Sequence, residues 1–335
     1  MPLRDIRGHR RLLELLAGAV GRKALPPTLL FDGPEGVGKY TTAMALAQAL
    51  NCLQPIEFAG GRDGCGTCAS CRKIARGTHP DIATIAPDDG SIKVDTIRDE
   101  VLQKSGFRPF EGRMRVFVVD QADSMVPQAQ DALLKTLEEP PPGSVFILVS
   151  AVADSLLPTV RSRSYRLRFG RLSEVDVTQV LQQKHHFDEV QARAASAIAD
   201  GSVGRALAAE QGELVEAREF AARLLQSVAT GRAAQRLEAG KAFVAGPRNG
   251  AVDRSTMGDR LLAVSSILRD LGILASRAED SLLANADLKA QLGRLLPAFA
   301  ADRVVRAFSS VDQAVSALER NASPKIVADW VSLEI

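Results

Sequence analysis

The run Gly33-Pro-Glu-Gly-Val-Gly-Lys39 constrains what this chain can fold into more than any other stretch. It follows the apolar segment Thr28–Phe31 and opens a helical pattern over Tyr40–Leu50. Glycines in that context let successive backbone N–H groups turn toward one centre, the helix start adds positive potential, and Lys39 supplies a charge for β- and γ-phosphates. A ligand-free Gly-rich turn is the plain alternative. Strand, loop, lysine and helix nevertheless stand in the order that a P-loop requires. Ile82–Ile85, Val116–Val119 and Val145–Val149 read as further buried strands. Helices are expected at Ile92–Gly106 and from Pro127 to the stop at Pro140–Pro142, with Leu133, Leu134 and Leu137 facing inward. This alternation predicts an α/β core with a parallel sheet and helices on both faces.

Beyond Gly170 the strand signals cease. Ser173–Leu181 and Phe187–Ala199 suit short helices, followed by a turn at Gly201–Gly204 and a helix through Arg205. From Gly212 the chain reads as wholly helical, with Gly246–Ser255 as its best loop. Val304, Phe308, Val311, Val315 and Leu318 make an apolar seam, and Ser323-Pro324 suits the cap of a last helix ending near Ile335. Three domains are expected: a core over 1–170 with an inserted cysteine module at about 51–80, a small helical domain over 171–210, and a helical domain over 211–335.

Composition narrows the function classes. Hydrophobic residues make up 46%, no apolar run is long enough to span a bilayer, and the start MPLRDIRGHRRLLELL lacks the plan of a signal peptide. A soluble, cytoplasmic protein without a membrane partner is expected. A net charge of +2 and an aromatic content of 4% argue against a dedicated nucleic-acid surface.

Two positions of the phosphate site depart from what ATP hydrolysis needs. The residue after the lysine should offer a short hydroxyl to Mg²⁺, and here it is Tyr40, whose oxygen lies at the far end of a ring. Thr41 is no simple substitute, because one step along a helix rotates the side chain by about 100°. Downstream, Val116-Phe-Val-Val-Asp120-Gln121 resembles a strand ending in a metal-associated acidic pair, but the second position carries an amide. Gln121 cannot take a proton from an attacking water as a carboxylate can. Phosphate binding through Gly33, Gly36, Gly38 and Lys39 can survive these changes, so ATP or ADP stays open. Mg²⁺ binding and turnover are expected to be weak or absent.

All four cysteines fall between Cys52 and Cys71. Cys65-Gly-Thr-Cys68-Ala-Ser-Cys71 can turn three thiolates toward one ion, and Cys52 completes a tetrahedral set. An iron–sulfur cluster lacks its usual fourth-cysteine spacing. With all four ligands supplied by protein, structural Zn²⁺ is the expected occupant, ahead of free thiols.

Arg161-Ser-Arg163-Ser164 would by itself be a solvated turn. After the last strand of an ATPase sheet, however, such an edge can present an arginine to a neighbour's nucleotide. Taken together the chain resembles the delta prime subunits of bacterial DNA polymerase III clamp loaders, members of the AAA+ family. The resemblance rests on Ile6-Arg7-Gly8-His9, Gly33–Lys39, the cysteine module, His79-Pro80-Asp81, Ile92–Arg98, Ala132–Pro141, Leu156–Arg163 and the ending Leu318–Asn321 with Pro324-Lys325. It implies a small helical lid, a C-terminal collar, and a heteropentamer with delta and gamma/tau subunits that places a sliding clamp on primed DNA. It also implies a rigid, non-motor role, with Arg163 as an arginine finger acting in trans and Ser164 standing where the family has cysteine. Ser150 falls at the sensor 1 position by order, while Arg205 lies near sensor 2 in an uncertain register. An active gamma/tau-like ATPase and a zinc-containing nucleic-acid-binding protein are the alternatives.

Overall fold

The computed structural model describes residues 1–209, 213–230, 254–279, 288–319 and 322–335, with 241, 243, 283 and 285. The chain forms two compact units, Met1–Ser173 and Glu174–Ile335.

The first unit is built on a five-stranded sheet. In chain order the strands are β1 (Thr28–Asp32), β2 (Ile56–Phe58), β3 (Gly61–Asp63), β4 (Ile82–Ile85), β5 (Arg115–Val119), β6 (Ser144–Ser150) and β7 (Tyr165–Arg168). The large sheet runs β4-β5-β6-β1-β7, all neighbours parallel, and β2 and β3 make a separate antiparallel hairpin. Alternation along the strands separates two cores. Leu29, Phe31, Val116, Val118, Ile147 and Val149 face one side, where helices Arg10–Gly21 and Lys39–Asn51 pack. Leu30, Phe117, Val119, Phe146 and Leu148 face the other, against Ile97, Val101, Leu133 and Leu137. Phe117 and Phe146 stack across β5 and β6 at 5.1 Å between ring centroids. Burial on both faces explains why these strands read as continuous apolar runs.

The four strands expected from sequence form, and three were missed. In β7 only Leu167 is buried, so its sequence carries no apolar run. β2 and β3 have three residues each, below the length at which alternation is readable. Their position is fixed by Gly61: a Cβ there would lie 2.2 Å from the carbonyl of Ala17, so the hairpin sits flush on helix Arg10–Gly21. Helix Pro127–Glu138 begins at its proline as expected. The 92–106 helix is real from Val94, but Arg98–Leu102 is wound more widely, and Ile92 instead bridges to Met125.

Asp81 locks the turn that leads into β5. Its buried carboxylate accepts the N–H groups of Phe110, Glu111 and Gly112 at 2.6, 2.9 and 2.7 Å, and Arg115 Nη2 donates to it at 3.1 Å. Burial alone would raise its pKa, but these donors outweigh that and hold it below the usual value. Its stabilisation is therefore present above the unfolded carboxylate pKa of about 3.9 and is lost as the pH falls through the lower folded value. Asp81→Ala should cost about 3–5 kcal/mol, because it orphans three N–H groups and removes the counter-charge of the partly buried Arg115. Denaturant unfolding measures this, and a loss under 1 kcal/mol would refute it.

The second unit is helical throughout its regular elements among the described residues. Helices Glu174–His185, Glu189–Ile198 and Val203–Ala209 come first, the second opened by a capping box of Asp188 and Gln191. Glu213–Thr230, Arg254–Ala275, Lys289–Leu295, Ala301–Glu319 and Pro324–Glu334 follow and share one apolar core. The expected seam needs one correction. Val304, Val311, Val315 and Leu318 are buried, but Phe308 is 40% exposed and Ala307 takes the inward position. At about 100° per residue the buried positions 304, 307, 311, 314, 315 and 318 form a stripe centred near 311 and 318, and Phe308 falls beyond its edge. Ser323 stands at the N-cap of the last helix, yet its side chain makes no capping bond and Pro324 alone marks the start. Residues 246–253 of the expected loop lie outside the described residues, as do Gly212, Arg320 and Asn321, while Arg254 and Ser255 already belong to a helix.

Candidate functional site

The phosphate loop leaves the carboxyl end of β1, which lies between β6 and β7, on the edge of the sheet where ligands bind in open parallel sheets. Its glycines are needed for shape. Gly33, Gly36 and Gly38 have φ of +149°, +72° and +99°, and a Cβ on Gly33 would sit 2.1 Å from the carbonyl oxygen of Phe169. His9 braces the outside of the loop, with Nε2 3.0 Å from the carbonyl oxygen of Val37 and its ring edge-on to Phe169. Helix Lys39–Asn51 starts directly from Gly38.

Lys39 is buried and turned onto its own loop, donating to the carbonyls of Gly33 and Pro34 at 2.6 Å each. Burial lowers its pKa, opposed by the charges of Glu35, Asp123, Asp120 and Asp32. Burial pushes Asp120 up, partly offset by the N–H of Gln121 at 3.0 Å and by Lys39. Lysine and acidic strand end therefore lie close enough to influence each other's charge.

Tyr40 is 39% exposed, Thr41 is half-buried, and the Thr42 hydroxyl is bonded to the carbonyl of Gly38 at 2.9 Å. Gln121 takes a left-handed conformation, φ +48°, at the start of the turn Ala122–Ser124. Two acidic residues not singled out from sequence join this site. Asp123 accepts the N–H of Ala151 just past β6 at 3.0 Å, and Asp32 pairs with Arg166 of β7 at 2.6 Å. The sequence signal for Asp123 was its place three residues beyond Asp120. Ser150 is fully buried and its hydroxyl accepts the N–H of Val152, and Arg205 lies in helix Val203–Ala209.

Arg163 lies elsewhere. It ends helix Pro158–Ser162, just before β7, and so sits at the amino-terminal edge of the sheet, opposite the phosphate loop. Its guanidinium pairs with Glu138 and donates to the carbonyl of Thr159 at 3.0 Å. The Ser164 hydroxyl closes the same turn on Val160 at 2.8 Å.

The four cysteines converge as expected. Their sulfurs all lie within 4.8 Å of one another, with Cys52 and Cys68 at 3.9 Å. A tetrahedral ion with bonds of about 2.3 Å separates its sulfurs by about 3.8 Å, so the cluster has the dimensions of a metal site. Backbone N–H groups point at sulfur: Cys65 to Cys52 at 3.2 Å, Cys68 to Cys65 at 3.2 Å and Cys71 to Cys68 at 3.4 Å. Burial raises the Cys71 and Cys52 thiols; at Cys65 the donors from Thr67 and Cys68 outweigh burial and bring it down to about 6. Asp63, at the end of the hairpin, receives the N–H groups of Leu3 and Arg4 at 2.9 and 3.0 Å and ties the first residues to this module.

An inner strand feeding a P-loop-like turn and an acidic strand end beside its lysine define a parallel α/β core of the P-loop kind, with a four-cysteine insert. Residues 8–173, nearly the whole first unit, match the family model described as DNA polymerase III, delta subunit. Through this segment the chain is similar to clamp-loader subunits of DNA polymerase III. It is 34% identical over 164 residues to DNA polymerase III subunit delta' of Bacillus subtilis, covering 48% of this chain and 47% of that protein. It is also 34% identical over 171 residues to the tau subunit of B. subtilis, and 33% identical over 182 residues to that of Escherichia coli. Those matches cover 50% and 54% of this chain but 29% and 27% of the relatives, so the chain spans about half or less of the curated relatives it matches. Among solved structures, a gamma subunit-related protein from Thermotoga maritima aligns over 96% of both chains, with 15% identity and a TM-score of 0.41. No helix among the described residues is long and apolar enough to cross a membrane.

Proposed function

We propose that this chain is a non-motor subunit of a bacterial clamp loader, acting with delta and gamma/tau subunits in a heteropentamer that places the sliding clamp on primed DNA. In this reading 171–210 serves as the lid and 211–335 as the collar that joins the ring. One observation carries the non-motor role: a well-formed phosphate loop stands beside Tyr40 and Gln121, which remove the metal-binding hydroxyl and the second carboxylate. The loop can grip phosphate without turning it over, since the chemistry relies on metal and water positioning as well as on the cradle. Arg163, on the opposite edge, is suited to a neighbour's γ-phosphate. Cys52, Cys65, Cys68 and Cys71 hold structural Zn²⁺. Bound there, the ion crosslinks the hairpin to helices Lys39–Asn51 and Ala69–Ala75, and no position is left for a reacting water.

Reconstitution with the partner subunits, clamp and primed DNA tests this. The isolated chain should hydrolyse ATP no faster than buffer, and omitting it from the mixture should abolish clamp loading. Turnover by the isolated chain at the rate of a motor subunit would instead assign the active gamma/tau role. Tight, strongly salt-dependent DNA binding by the isolated chain would favour the nucleic-acid-binding reading.

A further inference from the structure

The amino-terminal edge of the sheet carries a second feature that the nucleotide chemistry does not use. A cleft of about 550 Å³ opens where Pro27, Met114 and Gly143 lead into β1, β5 and β6. Its walls are largely apolar, with Val20 and Leu50 from the helix ends, Leu25 from the segment before β1, and the rigid run Pro140–Pro142. Three cations, Lys23, Arg62 and Arg113, line it, and no carboxylate does. All three are exposed, and none of their side chains has a hydrogen bond or ion pair among the described residues. Three unpaired cations around one apolar cleft therefore mark a local charge imbalance that an acidic ligand would satisfy.

The surface beside the cleft indicates the size of that ligand. A Cβ on Gly143 would lie 3.8 Å from Pro109, so the loop around Pro109 borders the cleft. That loop presents Phe107 and Phe110, 67% and 81% exposed. Exposed phenylalanines beside a cleft walled by methionine and arginine match the composition of protein interfaces. A lone small anion would leave this apolar border wet, and a phosphate backbone would gain nothing from an aliphatic and proline-walled floor.

We propose that this cleft is a docking site for a protein partner's acidic segment, with an apolar side chain seated between Met114 and Pro140–Pro142 and carboxylates meeting Lys23, Arg62 and Arg113. The site lies within the first unit and does not depend on how the nucleotide loop works.

The test uses the full chain with its Met methyl groups ¹³C-labelled and a fluorescent peptide of about a dozen residues, Asp/Glu-rich with a Leu-Phe pair, set against its Lys-rich counterpart with the same pair. The acidic peptide should bind, shift the Met114 methyl resonance while leaving Met257 unmoved, and weaken as salt is raised from about 50 to about 500 mM. Combining Arg62→Glu with Arg113→Glu should weaken it at least about tenfold, with the melting temperature showing that the variant is folded. Failure of the acidic peptide to move Met114 in the wild-type chain would overturn the proposal without recourse to any variant. Equal binding of both peptides, or a primed DNA oligonucleotide shifting Met114 while the acidic peptide does not, would overturn it as well.

Discussion

Replacing Cys65 and Cys68 together with Ser is expected to take the zinc content from about one ion per chain to essentially none and to lower the thermal midpoint by roughly 6–12 °C. The size of the effect follows from how little else holds the module. A two-stranded hairpin with three-residue strands is not stable alone in water. Its contacts include the seating of Gly61 on Ala17, the Leu3 and Arg4 N–H groups donating to Asp63, the Arg4 guanidinium on the carbonyls of Gly64 and Cys65, Gln48 on the carbonyl of Cys71, and the cysteine cluster. Structural zinc contributes about 10–16 kcal/mol where an entire small domain depends on it. Here the sheet folds around its own core, so only the share that orders the insert is lost. A loss of about 3 kcal/mol corresponds to the stated shift for a unit of this size. Metal analysis and calorimetry on the full chain read both quantities. A double variant that keeps its zinc, or that loses zinc with no change in melting, would remove the structural role assigned to the cluster.

The parts of this molecule that were legible in the sequence are those in which one residue property decides the outcome. The apolar runs of β1, β4, β5 and β6 had to be strands in a covered sheet, because both their faces are buried. The cysteine spacing forced convergence, and the glycine pattern with Lys39 forced a phosphate loop. What stayed hidden depends on partners far apart in sequence. Nothing around Tyr165–Arg168 reports that β1 supplies a parallel neighbour, since three of its four residues are exposed. His79-Pro80-Asp81 stood out as a landmark, but its purpose required knowing that the turn 110–112 returns to it. Phe308 misled because it lies at the edge of the apolar stripe, and a small residue, Ala307, fills the inward place. The ion pair between Arg163 and Glu138 joins residues 25 apart on two helices and leaves no local signal.

That ion pair bears on the largest functional effect expected. Arg163→Ala should leave the reconstituted complex assembled and slow ATP hydrolysis at the affected site by about tenfold or more, as arginine fingers supply charge only as the γ-phosphate leaves. The fold makes action on this chain's own loop implausible on distance. Phosphates would sit beyond the carboxyl end of β1, whereas Arg163 precedes the amino end of the neighbouring parallel strand β7. At about 3.3 Å per residue the four residues of β7 alone separate those edges by on the order of 13 Å, longer than an arginine side chain. The finger must therefore serve a site on another subunit or none at all. In the free chain Glu138 and the carbonyl of Thr159 hold the guanidinium at the helix end, so it is already ordered before a neighbour arrives. Arg163→Lys should recover only part of the lost rate, because an ammonium is a point charge without the planar fork that engages two phosphate oxygens. Steady-state turnover of the wild-type and variant complexes, with assembly checked by gel filtration, decides the matter. Unchanged turnover and clamp loading in the Arg163→Ala complex would mean that this arginine only braces the turn before β7.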